Sequence, residues 1–186
     1  MSDSDKQNPR ISKVTTKGGD RGTTKLATGR RVAKSSQYVR AVGAVDELNS
    51  HIGLAIAAMD GASEHTGQLL DIQQALFEVG AVLAMEGTYD APTATSLESA
   101  IERYNTQLPA LKEFVLPRGT RLVAQLHVCR AVCRRAEVEL WSLTAAENPP
   151  VSYSQCAQYL NRLSDLFFVL ARWHGQDDEL EWRGPG

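Results

Sequence analysis

The chain has little of what would place it in several large functional classes. Only three of its 186 residues are cysteine, Cys129, Cys133 and Cys156, each inside a helical pattern. A small secreted scaffold would carry an even, dense set of cysteines, and this odd, sparse one points to a reducing compartment. Cys129 and Cys133 share a helix face at a spacing of four, but a zinc pair there lacks its partner ligands and the C-x-x-C spacing. Small buried apolar side chains are the reading that the three favour. No apolar run reaches the roughly 20 residues of a membrane span. Aromatic residues make up 6% of the chain, and none interleaves the basic residues of the N-terminal arm as a nucleic-acid surface would require. The G-x-x-x-x-G-K-[ST] pattern of a P-loop is missing, and there is no internal repeat. Met1-Ser2-Asp3-Ser4-Asp5 is polar and acidic, unlike a secretory signal or a transit peptide. These absences predict a cytoplasmic protein with neither a membrane nor a nucleic acid as partner.

What is present is an uneven charge. Residues 1–40 hold ten Lys/Arg against Asp3, Asp5 and Asp20, a net of +7; the whole chain is −2, so the remainder is −9. A basic arm on an acidic body suggests a polyanionic ligand, or a neighbouring subunit of the same kind, near the N-terminus. Residues 1–10 read as a disordered tail and 11–186 as a single domain. From Ile11 to about Arg40 the Gly-, Thr- and Lys/Arg-rich chain reads as extended backbone and loop.

Beyond it, apolar residues recur three and four apart and predict five helices. The first begins near Val39–Gly43 and runs to about Met59. The second covers Glu64–Met85, and the third runs from Ser96 to about Asn105 or Gln107. The fourth covers about Thr120–Leu143 and the fifth about Ser152–Trp173. Leu108–Thr120, with Pro109 and Pro117, is an irregular connection. The tail from His174 is polar and acidic. The predicted fold is all-α, an antiparallel five-helix bundle with an extended N-terminal nucleotide-binding segment.

Three segments carry chemistry. In Thr15-Thr16-Lys17-Gly18-Gly19-Asp20-Arg21-Gly22-Thr23-Thr24, glycines permit positive φ and close approach of backbone N–H groups to an anion. Lys17, Arg21 and the threonine hydroxyls would add charge-assisted contacts, and Asp20 would hold a metal-bound water or fix the loop. An ordinary glycine-rich hairpin turn has the same composition. On the fourth helix His127, Arg130, Arg134, Glu137 and Trp141 fall on one stripe. Arg135 adds a third guanidinium within six residues. Such crowding repels unless an anion is near, and Glu137 balances only part of it; a solvated charged face is the plainer alternative. On the fifth helix Asn161 has donors and acceptors for a ribose or adenine edge, while Asp165 suits a structural bridge to Arg162 or to an arginine of the fourth helix. Asp46 and Glu47 on the first helix would orient an arginine, or simply be exposed acids at a helix start.

Together these segments resemble the PduO-type ATP:cob(I)alamin adenosyltransferases. The matching stretches are Thr16-Lys17-Gly18-Gly19-Asp20-Arg21-Gly22-Thr23-Thr24, Gly43-Ala44-Val45-Asp46-Glu47-Leu48-Asn49-Ser50 and Phe114-Val115-Leu116-Pro117. Further along come Leu126-His127, Arg130, Cys133-Arg134-Arg135-Ala136-Glu137 and Tyr159-Leu160-Asn161-Arg162-Leu163-Ser164-Asp165. The resemblance implies a homotrimer of five-helix bundles with active sites at subunit interfaces. It implies transfer of the 5′-deoxyadenosyl group of ATP to the cobalt of reduced cobalamin, with release of triphosphate.

By position it puts Thr16 to Thr24 and Lys34 on the triphosphate with Mg²⁺, whose direct protein ligands it leaves open. Arg130, Arg134, Glu137 and Asn161 would complete the nucleotide site from the neighbouring subunit, with Asp46 paired to Arg130 across the interface. Phe114 would line the lower corrin face and displace its axial base, with Phe168 beside it. Partners implied are a flavin reductase upstream and a B12-dependent mutase downstream. A non-catalytic carrier of ATP or adenosylcobalamin is the alternative function, and a purely structural bundle a further rival. Four positions depart from the family pattern. Arg118 stands where glycine is usual, Tyr38 and Val138 where arginine is frequent, and Gly18 where Thr or Asn is usual.

Overall fold

The computed structural model describes residues 15, 17–59, 61 and 63–184. Thr16 and the N-terminal tail, including the expected disordered 1–10, lie outside the described residues. A short antiparallel hairpin opens the fold: β1 (Thr23–Lys25) pairs with β2 (Arg31–Ala33), Thr24 opposite Val32. Five helices follow, α1 (Gln37–Ala57), α2 (Glu64–Ala84), α3 (Thr95–Asn105), α4 (Arg121–Leu143) and α5 (Val151–Gly175). A 3₁₀ turn at Gln176–Asp178 ends the helical part.

The extended arm is shorter than the sequence suggests. Residues 37–40 belong to α1, because Ser36 is already extended (φ −68, ψ 157) and Gln37 is anchored by its Nε2, which donates to the Glu139 side chain and carbonyl. At the next helix start Ser63 and Thr66 form a reciprocal capping box, which satisfies two N–H groups that a helix end leaves bare. Thr120 caps α4 by accepting from the Val123 N–H at 3.3 Å. The tail also departs from expectation. Helix α5 continues two residues past Trp173, and the chain then returns along the 108–120 connection, with Val115 bridged to Glu181.

The most extensive helix contact is α4 against α5, followed by α1 against α4. Their shared core is aliphatic: Leu126, Ala136, Leu140, Leu160, Leu163, Leu166 and Phe167 are all fully buried. Cys133 lies within the seam and its thiol donates to the Leu160 carbonyl at 3.1 Å. All three cysteines are free and buried, as read from the sequence. Burial pushes the Cys129 and Cys156 thiols up to about 12, so they behave as apolar filling.

Polar clasps set the register of the remaining helices. Asn49 and Gln73 exchange side chain-to-carbonyl bonds between α1 and α2. Gln125 Nε2 donates to the His51 carbonyl at 3.0 Å, joining α4 to α1. His65 and His174 meet at 3.0 Å, tying the start of α2 to the end of α5. Phe167 has no exposed surface, so Phe167→Ala is expected to cost about 3–5 kcal/mol in urea unfolding. A loss under about 1 kcal/mol would mean that the seam collapses around the gap.

Candidate functional site

The glycine loop is two tight turns leading into the hairpin. Asp20 N–H donates to the Lys17 carbonyl (3.4 Å) and Gly22 N–H to that of Gly19 (3.2 Å). The distribution of left-handed backbone differs from the expectation that glycines would carry it. Lys17 adopts φ 57 and Gly22 φ 77, whereas Gly18 and Gly19 stay outside that region. What Gly19 supplies is room: a Cβ there would lie 2.8 Å from both Cε and Nζ of Lys34. Lys34 is also tied to the loop through its N–H, which donates to the Gly22 carbonyl at 2.9 Å. A lysine ammonium is thus laid over a turn flanked by the exposed Lys17 and Arg21. Thr23 Oγ1 accepts from Arg31 Nη1 at 3.1 Å, and Thr24 is half-buried in β1 beside it. Arg31 is a cation at this loop that sequence reasoning missed, because the β2 register that aims it there has no helical or motif signature.

The stripe on α4 divides into two unlike halves. Arg134 is exposed and makes no ion pair among the described residues. Arg130 is half-buried, and its Nε is buried without a partner. Arg135 bonds to Glu47 on α1, which accounts for the third guanidinium as a structural link. Glu137 is buried, at 8% exposure. Its Oε1 accepts from Trp141 Nε1 at 3.2 Å and from Asn161 Nδ2 at 3.1 Å. The plainer alternative of a solvated charged face therefore fails at Glu137, because α5 covers it. The same bonds bring Glu137 and Asn161 together, and Arg134 lies one turn away on α4. Asp165 bonds to Arg162 at 3.0 Å, the bridge expected of it. Asp46 is exposed, with no side-chain partner among the described residues.

A third group forms a cleft of about 440 Å³, whose lining includes Phe114, Val115, His127, Arg130 and Phe168. Phe114 is 78% exposed on the connection before α4. Its ring lies near Trp182 of the returning tail, with centroids 6.4 Å apart; that aromatic was missed because it sits in a polar tail without periodicity. His127 is buried and its Nδ1 lacks a partner. Burial holds its imidazole below the ordinary 6.5; the Arg130 guanidinium adds to that shift and Glu179 opposes it. The glycine loop and the α4 arginines share no side-chain hydrogen bond or ion pair among the described residues.

Two departures from the family pattern find local partners. Tyr38 accepts a hydrogen bond from the Tyr153 hydroxyl at 3.1 Å, and the Arg30 guanidinium lies 4.9 Å from its ring centroid. Arg118 Nη1 reaches Asp178 Oδ1 at 3.1 Å. Val138 is 63% exposed, and nothing in the structure explains it.

Fold and site define a helical-bundle protein that joins a cationic anion loop to an arginine-bordered apolar cleft. Within that class the chain belongs to the cobalamin adenosyltransferase family, whose profile matches residues 14–174. A cobalamin adenosyltransferase of Cupriavidus metallidurans is 49% identical over 165 residues, 88% of each chain. The human corrinoid adenosyltransferase MMAB is 39% identical over 177 residues, 89% of this chain and 70% of that protein. Among solved structures, a phenylalanine-to-alanine variant of the PduO-type ATP:corrinoid adenosyltransferase from Lactobacillus reuteri, complexed with cobalamin and ATP, superposes with a TM-score of 0.83. It is 32% identical, covering 92% of this chain and all of that one. An arginine-to-lysine variant of the same enzyme, complexed with ATP, gives a TM-score of 0.80 at 33% identity, over 90% of this chain and 98% of that one.

The depressed imidazole has a consequence for stability. Burial lowers His65 and His174 as well, so the unfolded chain takes up protons at higher pH than the folded one. The stability carried by the neutral rings is complete above about 6.5 and is lost as pH falls from there through the depressed folded values. The urea midpoint is expected to fall between about pH 7 and about pH 5, with a shallower fall in His127→Gln. An NMR titration of His127 at or above 6.5 would contradict the assignment.

Proposed function

We propose that the chain is an ATP:corrinoid adenosyltransferase. It transfers the 5′-deoxyadenosyl group of ATP to the cobalt of reduced cobalamin and releases triphosphate. The observation that carries this reading is the cleft, where Phe114 and Phe168 supply apolar walls and Arg130, with an unpartnered Nε, borders them. An apolar ligand face and an anionic group would meet at that border.

Lys17, Gly18, Gly19, Asp20, Arg21, Gly22, Thr23 and Thr24, with Thr16 and Lys34, cradle the triphosphate in this reading, through backbone N–H groups and cations. Arg130 and Arg134 act as forks on phosphate oxygens. Asn161 positions the nucleoside, held in place by its bond to Glu137. The cobalt lone pair attacks C5′, a Co–C bond forms, and the C5′–O bond breaks with its electron pair leaving on triphosphate. No side chain serves as a covalent nucleophile. Orientation and neutralisation of the leaving charge supply the rate. Phe114 would supply the apolar wall on the lower side of a bound corrinoid, where excluding an axial base would make reduction of the cobalt more accessible.

Mg²⁺ fits as an ion carried by the phosphates. Among the described residues no group of three His, Cys, Asp or Glu side chains is placed to cage a cation. Exposed Asp20 is the carboxylate within the loop that would share such an ion. The lack of any side-chain bond between loop and α4 arginines among the described residues leaves room for a homotrimer in which each site takes its loop from one subunit and Arg130, Arg134, Glu137 and Asn161 from the next. Unpaired Asp46 then meets Arg130 of the neighbour. Exposed Leu54, Phe77 and Val138 leave apolar surface for such contacts. A flavin reductase supplies the Co(I) state and a B12-dependent mutase receives the product. No helix among the described residues is long and apolar enough to cross a membrane, and we place the reaction in the cytoplasm.

The test is an anaerobic assay with chemically reduced cobalamin, ATP and Mg²⁺, following loss of Co(I) absorption and appearance of triphosphate in equal amounts. Binding of both ligands without triphosphate would make the protein a carrier. Arg134→Ala is expected to weaken ATP binding roughly ten- to a hundredfold, the worth of a charged hydrogen bond, while light scattering finds the assembly unchanged. Unaltered ATP affinity by calorimetry would remove Arg134 from the site. Phe114→Ala is expected to bind ATP normally and to lose roughly tenfold or more in turnover starting from Co(II) corrinoid.

A further inference from the structure

One buried charge has no part in the chemistry above. Arg172, in the last turns of α5, is 5% exposed. Its Nε donates to Glu179 Oε1 at 2.8 Å and its Nη2 to Glu179 Oε2 at 3.2 Å. Nη2 also donates to the Pro109 carbonyl at 2.9 Å. Pro109 stands near the start of the connection that carries Phe114, and Glu179 stands at the start of the returning tail. One guanidinium therefore holds both segments against the same helix end.

Past this junction the two segments pair with each other. Leu116 N–H donates to the Leu180 carbonyl at 2.8 Å, and Trp182 N–H donates to the Phe114 carbonyl at 2.7 Å. Two such bonds around one bridge make a ribbon too short to hold itself in water. Phe114, with most of its surface exposed, is not fixed by packing of its own ring. Its direction follows from its backbone, and its backbone follows from the tail. Arg118 adds an exposed link to Asp178 farther along.

We infer that Arg172 is a positioning residue for the corrinoid-facing wall. Its fork on Glu179 and Pro109 locks the Phe114 connection and the C-terminal tail into one strap beside the cleft, with Phe114 and Trp182 carried on it. The inference rests on the reading of Phe114 as facing the corrinoid. Arginine is required because two acceptors in different directions need a planar fork; a lysine ammonium on the same stem reaches one of them.

The experiment uses Glu179→Gln, a nearly isosteric change that removes the charge opposite Arg172 without stranding a buried guanidinium beside a gap. In the ligand-free protein, the amide protons of Leu116 and Trp182 are expected to exchange roughly tenfold faster than in the parent, with core amides of α4 and α5 unchanged. In steady-state assays the corrinoid KM is expected to rise about fivefold while the ATP KM stays within about twofold. Arg172→Lys is expected to free the same two amides. Unchanged exchange at Leu116 and Trp182 in both variants overturns the inference, as does a uniform rise along α5, which would make the junction a matter of stability alone. Phe114→Ala, run in parallel, separates the two ideas. Corrinoid parameters unaltered by that change overturn the reading of Phe114, while amide exchange still decides whether Arg172 holds the strap.

Discussion

The seam between α4 and α5 is the constraint on which the rest of the molecule depends. Leu126, Cys133, Ala136 and Leu140 close it from one side, and Leu160, Leu163 and Phe167 from the other, all without exposed surface. Interiors packed to this degree transmit a shift of one residue to every neighbour. Several of the proposed site side chains stand on the two helices that form it. Arg130 and Arg134 leave α4 at its border, Phe168 leaves α5 next to Phe167, and Glu137 crosses to Asn161 at 3.1 Å. A buried carboxylate left without donors would be costly, and here two neutral N–H groups, from Trp141 and Asn161, satisfy it. The polar bonds that complete the seam are the same ones that orient the proposed nucleoside contact.

Much of this was legible in the chain. The five helices follow from apolar residues three and four apart, and observed ends lie within a few residues of those expected. The glycine loop and the arginine stripe were visible because unusual residues crowd into short windows. The remainder was hidden for definite physical reasons. A stripe at i, i+3 and i+4 identifies a helix face without saying what covers it, so the burial of Glu137 under α5 was not legible. The position of Lys34 over Gly19 depends on the turn geometry of residues that bear no periodic signal. Arg172 carried no signal of its own, because its partners, Glu179 and the Pro109 carbonyl, sit in irregular chain on either side. The tail read as a polar end because a one-residue bridge leaves no pattern of alternation.

The departures from the family pattern show how local chemistry absorbs a substitution. Tyr38 brings an aromatic ring where a guanidinium is frequent, and the Arg30 guanidinium lies over that ring. Positive charge is kept at that corner, supplied from the hairpin in place of the helix, and a cation over a ring face is a favourable contact. Arg118 replaces a small residue in the connection and finds Asp178 on the tail. Exposed pairs of this kind contribute little on their own. Its value lies in geometry, since it links the two segments that also carry Phe114 and Trp182.

These features bear on how the bundle would accelerate a displacement at carbon. His127 borders the cleft, and burial together with Arg130 favours its neutral form, so it is poorly suited to deliver a proton at neutral pH. That costs the proposed reaction nothing, because a cobalt lone pair needs no deprotonation and triphosphate leaves without first taking a proton. What the reaction demands is alignment of cobalt with C5′ and cations on the departing phosphates. The seam fixes Arg130 and Arg134, the strap fixes Phe114, and the glycine loop holds Lys34 at its own surface. Arg172 ties the strap to α5, whereas the glycine loop shares no side-chain hydrogen bond or ion pair with the α4 arginines among the described residues. In the proposed reaction, rate would depend on bringing preformed pieces together, and the proposed subunit interface would do so with little ordering left at the moment of reaction.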